Sequence, residues 1–433
     1  MNINRNRVKN SIVLMGRMPL FFLVTAYLCN LKLPVLIAAG SVSACMIPIL
    51  IRQKKKEEDQ RRKLEESSFY MEQLIYSFRR HHKIPAALRD VSRITEGNLK
   101  RYVTEALEKL EGDFVEDDLF QRAFIHIETE YGHHLMHVLH TFLIRVEEQG
   151  GDCVLALELL LNQLRDWKKN QKTFAGRKKS IQSRLVLAVI LSCLICLAVV
   201  RMMPAAADVA DITAYQLCTG TGLVIFQVLY IVFSTMSAGA GLEKTGMEEN
   251  SRESRQLEKL YRQLDSPVHG IRYWSTVRRL EQEISMHFPE WMFDMILRLQ
   301  TENVQTAIAH SLDGAPEVLV RPLYRMIRKQ QEDPVSIQPY LDFLKEFDLP
   351  EIHAVMLQLY AVNDVGKEEI KEQIYAMLDQ NRHLTETAFE LKTDSVLSWM
   401  GMLAAVPMLV SVIMLVVNLS LMLFSFLGEM YRL

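Results

Sequence analysis

Neither sign of charge is in excess along the 433-residue chain, where 50 Lys and Arg stand against 52 Asp and Glu. A protein that grips phosphate backbones needs a basic surplus, so nucleic acid is not the partner this balance suggests. Cysteine is scarce, at 6. Five of these (Cys29, Cys45, Cys193, Cys196, Cys218) fall in or beside apolar runs and only Cys153 stands in polar sequence, so no disulfide framework supports a folded exterior. The spacing Cys193-x-x-Cys196 fits a redox or zinc motif, but within hydrocarbon it reads as packing. Glycine (18) and proline (13) are too few, and biased tracts too short, for a disordered or fibrous protein. Catalytic signatures are missing too. The nearest string to a phosphate-cradling loop, Gly366-Lys367-Glu368, lacks both the preceding glycine and the hydroxyl that would hold magnesium. Neither a Gly-x-Ser-x-Gly elbow nor a His-Glu-x-x-His zinc motif occurs.

What is present is an alternation of two materials, which a mean hydropathy of +0.04 averages away. Runs long enough to cross a hydrocarbon core occupy residues 11–30, 34–51, 185–203, 216–240 and 397–427. The first two are separated only by Leu31, Lys32 and Leu33 and read as a hairpin; the third and fourth form a second, around a loop with Pro204, Asp208 and Asp211. The last run is too short for two crossings and reads as one tilted helix, kinked at Pro407. Five spans are therefore expected. Lys and Arg beside spans are retained in the cytoplasm. Arg5, Arg7 and Lys9 precede the first span, Arg52 to Lys63 follow the second, and Lys168 to Arg184 precede the third. This places the N-terminus inside and the C-terminus outside, with Arg17 snorkelling to the inner headgroups and the first span kept as an anchor. The expected divisions are 1–51, an N-terminal hairpin; 52–184, a cytoplasmic bundle; 185–240, a second hairpin; 241–396, a second cytoplasmic bundle; and 397–433, a final span with a short external tail.

Both polar segments carry helical periodicity, with apolar residues three and four apart in Phe69, Leu74, Ile75, Phe78 and in Trp291, Met295, Ile296, Leu299. Further on, Ile84-Pro85-Ala86-Ala87-Leu88 answers Val304-Gln305-Thr306-Ala307-Ile308, and Glu148-Gln149-Gly150 is echoed by Asp364-Val365-Gly366. After each glycine a helix runs into a span, over 154–184 before the third and 370–396 before the fifth. A repeat aligned at both ends indicates two related all-α domains, each continued into a membrane helix. This plan resembles the inner-membrane platform proteins of type II secretion systems and of type IV and tight-adherence (Tad/Flp) pilus machines, the F-type family, from Phe69 to the end. The motif of an acidic residue, any residue and glycine matches Glu148 and Gly150, a second glycine matches Gly151, and Asp364 and Gly366 repeat the pattern. The hairpin over 11–51 resembles the tight-adherence branch, whose members commonly carry a single cytoplasmic domain. The acidic residues Glu386, Glu390 and Asp394 before the last span depart from the basic stem seen before the third. The resemblance implies an inner-membrane, non-enzymatic platform with no cofactor, whose partners are a cytoplasmic secretion ATPase, pilins and further platform subunits, identical or paralogous.

Several groups could carry chemistry. His126, Glu130, His133, His137 and His140 recur at spacings that place all five on one helical face, where His133 and His137 could share a metal ion with His140 or Glu130. The alternative is a partly buried polar stripe that titrates near pH 6.5, interrupted at Gly132. Glu105, Glu108, Glu111, Asp113, Glu116, Asp117 and Asp118 form an acidic stretch, read either as solvated or as facing a basic surface on the ATPase. Lys168, Lys169, Lys172, Arg177, Lys178, Lys179 and Arg184 form a basic stem expected against anionic headgroups. Thr219, Gly220, Thr221, Gly222 and Gly401 permit close helix approach within the spans. No Asp, Glu or Lys lies at mid-membrane, which argues against an ion-driven transporter. Two other readings stay open, a membrane signalling or receptor scaffold and a metal-dependent membrane protein using the 126–140 face.

Overall fold

The computed structural model describes residues 19–112, 119–131, 133–150, 153–202, 212–239, 247–264, 271–362 and 367–430. The expected positions at 1–18, at 203–211, at the acidic Asp113, Glu116, Asp117 and Asp118, at Gly132 and Gly151, at Asp364 and Gly366, and in the final tail lie outside them. The described residues are helical, with no strand among them. In order the helices are α1 (Pro19–Leu28), α2 (Leu33–His81), α3 (Ile84–Ile94), α4 (Gly97–Gly112), α5 (Leu119–Tyr131), α6 (His134–Gln149) and α7 (Val154–Met202). There follow α8 (Thr213–Gly239), α9 (Met247–Leu264), α10 (Ile271–Arg298), α11 (Val304–Ser311), α12 (Glu317–Glu332), α13 (Gln338–Leu341), α14 (Pro350–Ala361) and α15 (Lys367–Met430). Four of them, α2, α7, α8 and α15, are long and apolar enough to cross a membrane. The described part of the first expected span is the shorter α1. Pro407 lies inside the unbroken α15.

The chain divides into two compact units, one of residues 1–62, 172–241 and 395–433 and the other of 63–171 and 242–394. In the first unit, Phe22, Ala26, Met46, Leu50, Val189, Cys193, Phe226, Met414 and Met422 form the apolar core. The α1–α2 turn passes through Asn30 in the left-handed region at φ 53°, which a short polar side chain tolerates. Three bonds from α8 fix that turn: the Lys32 N–H donates to Gln216 Oε1 at 2.7 Å, Gln216 Nε2 donates to the Asn30 carbonyl at 3.0 Å, and the Tyr215 hydroxyl donates to the Cys29 carbonyl at 3.1 Å. Of these, the Cys29 carbonyl is buried, and without Tyr215 it would cost free energy in apolar surroundings. Gly220 lets α8 approach Val35 of α2, and Gly222 lets it approach Met414 of α15, at separations that leave no room for a β-carbon; Gly401 faces open space. Ser192 of α7 donates to the Pro407 carbonyl at 3.2 Å.

In the second unit both polar segments share one apolar core rather than forming separate bodies. The amphipathic α3 buries Ile84, Ala87, Leu88 and Val91, a spacing of three, four and seven that defines one helical face. Asn303 caps α11, its side chain accepting from the Thr306 N–H at 2.9 Å. Trp291 is buried and satisfies its indole N–H on Ser311 Oγ at 2.9 Å. Of the expected apolar anchors, Leu74, Ile75, Phe78, Trp291, Met295, Ile296 and Leu299 are in the core, whereas Phe69 points outward and Tyr70 takes the buried place. The end of α2 followed by α3 to α7 can be laid beside α10 to α15 in order, with the four-residue α13 at the place of α5. The helix α9 precedes the second series.

Candidate functional site: a buried histidine network beside the seam of the second unit

The expected single face of histidines is corrected by a break in the helix. α5 ends at Tyr131 and α6 begins at His134, with His133 in extended conformation (φ −141°, ψ 164°) as its cap. His126 and Glu130 therefore belong to one helix and His137 and His140 to the next. The break also separates the candidate metal ligands. His133 stacks on Trp167 of α7 at 4.6 Å between ring centroids, while His137 and His140 turn to Glu128. Among the described residues no group of three His, Cys, Asp or Glu converges to hold a metal ion. Glu130 pairs with Lys63 at 2.6 Å, and His126 pairs with Glu105, tying part of the acidic stretch to α5.

Glu128, which carries no signal in the sequence, is the hub. Its carboxylate receives His140 Nδ1 at 2.6 Å and His137 Nδ1 at 3.0 Å. His140 Nε2 meets the Tyr70 hydroxyl of α2 at 3.0 Å, and the His140 ring lies flat on Phe124 at 3.9 Å. Burial lowers the pKa of His140, so its neutral ring donates from Nδ1 to Glu128 and accepts from Tyr70 at Nε2. Burial alone would raise Glu128, but the hydrogen bonds from His137 and His140 prevail and hold it down at about 2. The Glu128 hydrogen bond raises His137. Burial, aided by the neighbouring His134 and His140, pushes His133 down to about 3. Tyr70 and His140 are sealed from solvent, at 0% and 1% exposure. Such a polar chain fixes α2, α5 and α6 in one arrangement.

Next to this network runs the seam where 63–171 meets 242–394 inside the second unit. Asp294 and Arg298 of α10 lie in the electrostatic reach of His137 and pair with each other at 2.6 Å. Arg145 of α6 pairs with Glu302 at 3.2 Å, both side chains being nearly buried, and Glu302 also receives His310. His134 Nε2 donates to the Glu290 carbonyl at 3.4 Å. The Glu290 carboxylate meets Lys392 of α15 at 2.6 Å and His287 at 3.2 Å. Burial opposes the Glu290 charge, yet Lys392 and His287 together hold its pKa well below the ordinary carboxylate range. A crevice of about 110 Å³ opens there, lined by Trp167 and Asn170 of α7, Glu290 of α10 and Lys392 of α15.

The turn after α6 uses a different acidic residue from the one the motif picks out. Gly150 has φ 73°, a left-handed value suited to glycine, and its N–H bonds to the Val146 carbonyl at 2.9 Å. Glu148 is exposed, whereas Glu147 is nearly buried, accepts from the Ile84 N–H at 2.7 Å and pairs with Lys83 at 3.1 Å. Glu147 thus supplies the acceptor that α3 lacks at its own N-terminus.

No family model, curated protein or solved structure matches this chain. Its site is therefore characterised by its own geometry. In the basic stem, Lys169, Lys172, Arg177, Lys179 and Arg184 are exposed. Lys168 pairs with Glu72 at 2.6 Å and Lys178 with Glu57 at 3.2 Å, so these two cations hold α7 to α2 as well.

Proposed function

We propose that this chain is a non-enzymatic inner-membrane platform of a Tad/Flp-type pilus or type II secretion-like machine, coupling a cytoplasmic secretion ATPase to pilin extraction and assembly. The observation that carries this reading is the continuity of α7 and α15, each a single helix whose first part contributes to the core of the second unit and whose last part is a run apolar enough to cross a bilayer. A helix without a break transmits displacement along its length, which suits a part that relays the work of a motor it does not contain. The parallel order of α2 to α7 and α10 to α15 supports two related F-type domains. The cluster of positive charge beside the apolar runs supports a cytoplasmic N-terminus and an external C-terminus, with α1 as a fifth crossing. The sealed network at Tyr70, Glu128 and His140 supports a scaffold, since its groups are spent on one another.

Affinity purification of the full-length protein from its native membrane tests the proposal. A hexameric secretion ATPase and prepilins are expected in the eluate, and deletion of the gene should abolish surface pili while leaving prepilin levels intact. Pili assembled normally in the deletion strain would end this reading.

A further inference from the structure

One cavity among the described residues belongs to neither the network nor the seam. It is a groove of about 360 Å³ between the end of α9, one face of α12 and residues 339–347. Its floor is apolar, and its walls carry Arg321, Arg325, Arg328 and Lys329 against two carboxylates, Asp342 and Glu346. Arg321 lies over the Tyr261 ring at 5.2 Å, Arg325 reaches Glu346 at 3.3 Å and Lys329 reaches Asp342 at 2.7 Å. Tyr324 stands at the rim, 62% exposed. A groove with a net positive wall and an apolar floor, on a chain whose net charge is −2, selects an acidic segment with an apolar centre.

The chain itself contains such a segment. Residues 111–118 read Glu-Gly-Asp-Phe-Val-Glu-Asp-Asp, five carboxylates around Phe114 and Val115. The helices that flank it, α4 and α5, pack on each other and on α3 and α6, and the groove is built by α9, α12 and α13. We propose that the groove of one molecule receives the segment 111–118 of a second copy, Phe114 and Val115 on the apolar floor and the carboxylates against Arg321, Arg325, Arg328 and Lys329. Contacts of this kind made head to tail generate a ring or a filament. The inference is independent of the platform reading, and it assigns the acidic stretch to another subunit rather than to a motor.

Two differently tagged full-length chains, one Phe114→Cys and the other Tyr324→Cys, are co-expressed, purified in detergent and treated with a short bismaleimide. A product joining the two tags is expected. Its yield should fall about tenfold with Arg325→Glu plus Arg328→Glu, and return when Asp117→Lys plus Asp118→Lys is placed on the other chain. Raising the salt should weaken the product in chains without charge reversal, a readout that does not depend on how those variants fold. Crosslinking confined to chains carrying both cysteines would overturn the proposal in favour of docking within one molecule. So would a yield indifferent to salt and charge reversal, or no product from chains that keep their thermal transition.

Discussion

Both ring nitrogens of His133 are out of reach of water, and its pKa of about 3 against an ordinary 6.5 makes it a sensor of acid. Between those values the unfolded chain binds a proton that the folded chain refuses, so stability drops as pH falls through the window, by about 1.4 kcal/mol per pH unit for one group. His140, also lowered, acts in the same direction. Glu128 has the opposite chemistry but the same outcome: its contribution is complete above its ordinary 4.5 and is lost as pH falls toward about 2. His137 is raised, so its contribution is complete below 6.5 and fades as pH rises through the higher folded value. The thermal midpoint of the purified protein should therefore decline steadily on acidification below about pH 6.5, and His133→Gln should flatten that decline. An identical slope in the variant would refute the role given to His133. The sequence marks the histidines by their spacing but not Glu128 or Tyr70, because a hub is defined by what converges on it from other helices.

At the scale of elements, the most buried ion pair across the seam is the one to probe. Arg145 and Glu302 are 9% and 8% exposed at the side chain, so Arg145→Met leaves a carboxylate deprived of its main partner and should cost about 3–5 kcal/mol. Adding Glu302→Met should recover most of that loss, and a double-mutant cycle in denaturant measures it; additive losses would show that the two residues act separately. In the first unit, Gly220→Val should destabilise by about 1–3 kcal/mol because α8 meets Val35 of α2 there, whereas Gly401→Val, facing open space, should be nearly neutral. Matching thermal midpoints for the two variants would contradict the close approach. The runs for α7 and α15 were legible because hydropathy and helical period extend over dozens of residues. The single-face reading of 126–140 failed because the helical spacing of these residues continues from α5 into α6, although α5 ends at Tyr131 and His133 is extended.

For the whole molecule, the platform proposal depends on α7 staying rigid between its polar and apolar parts. Gly176 is exposed on that helix with open space around it, so Gly176→Pro removes a backbone hydrogen bond and adds a kink without crowding a neighbour. Pilus assembly should be abolished while membrane insertion and the thermal transition of the bundle persist, as read by surface piliation beside a melting curve. Normal piliation in that variant would remove the stem from the mechanism. The acidic-x-glycine motif locates the turn after α6, but the side chain that works there is Glu147 rather than Glu148, a difference of one residue that rotates a carboxylate by about 100° around the helix.

By itself the sequence determined the material of each segment: which stretches are helical and which are apolar enough for a bilayer. Those properties follow from local periodicity and from transfer free energies that belong to the residues themselves. Tertiary structure alone decided that both polar segments share one core, that Glu128 gathers His137 and His140 beside Tyr70, and that Gln216 of α8 closes the α1–α2 turn. Each of these joins residues on different helices, and such pairings depend on how helices pack rather than on any preference written into one of them.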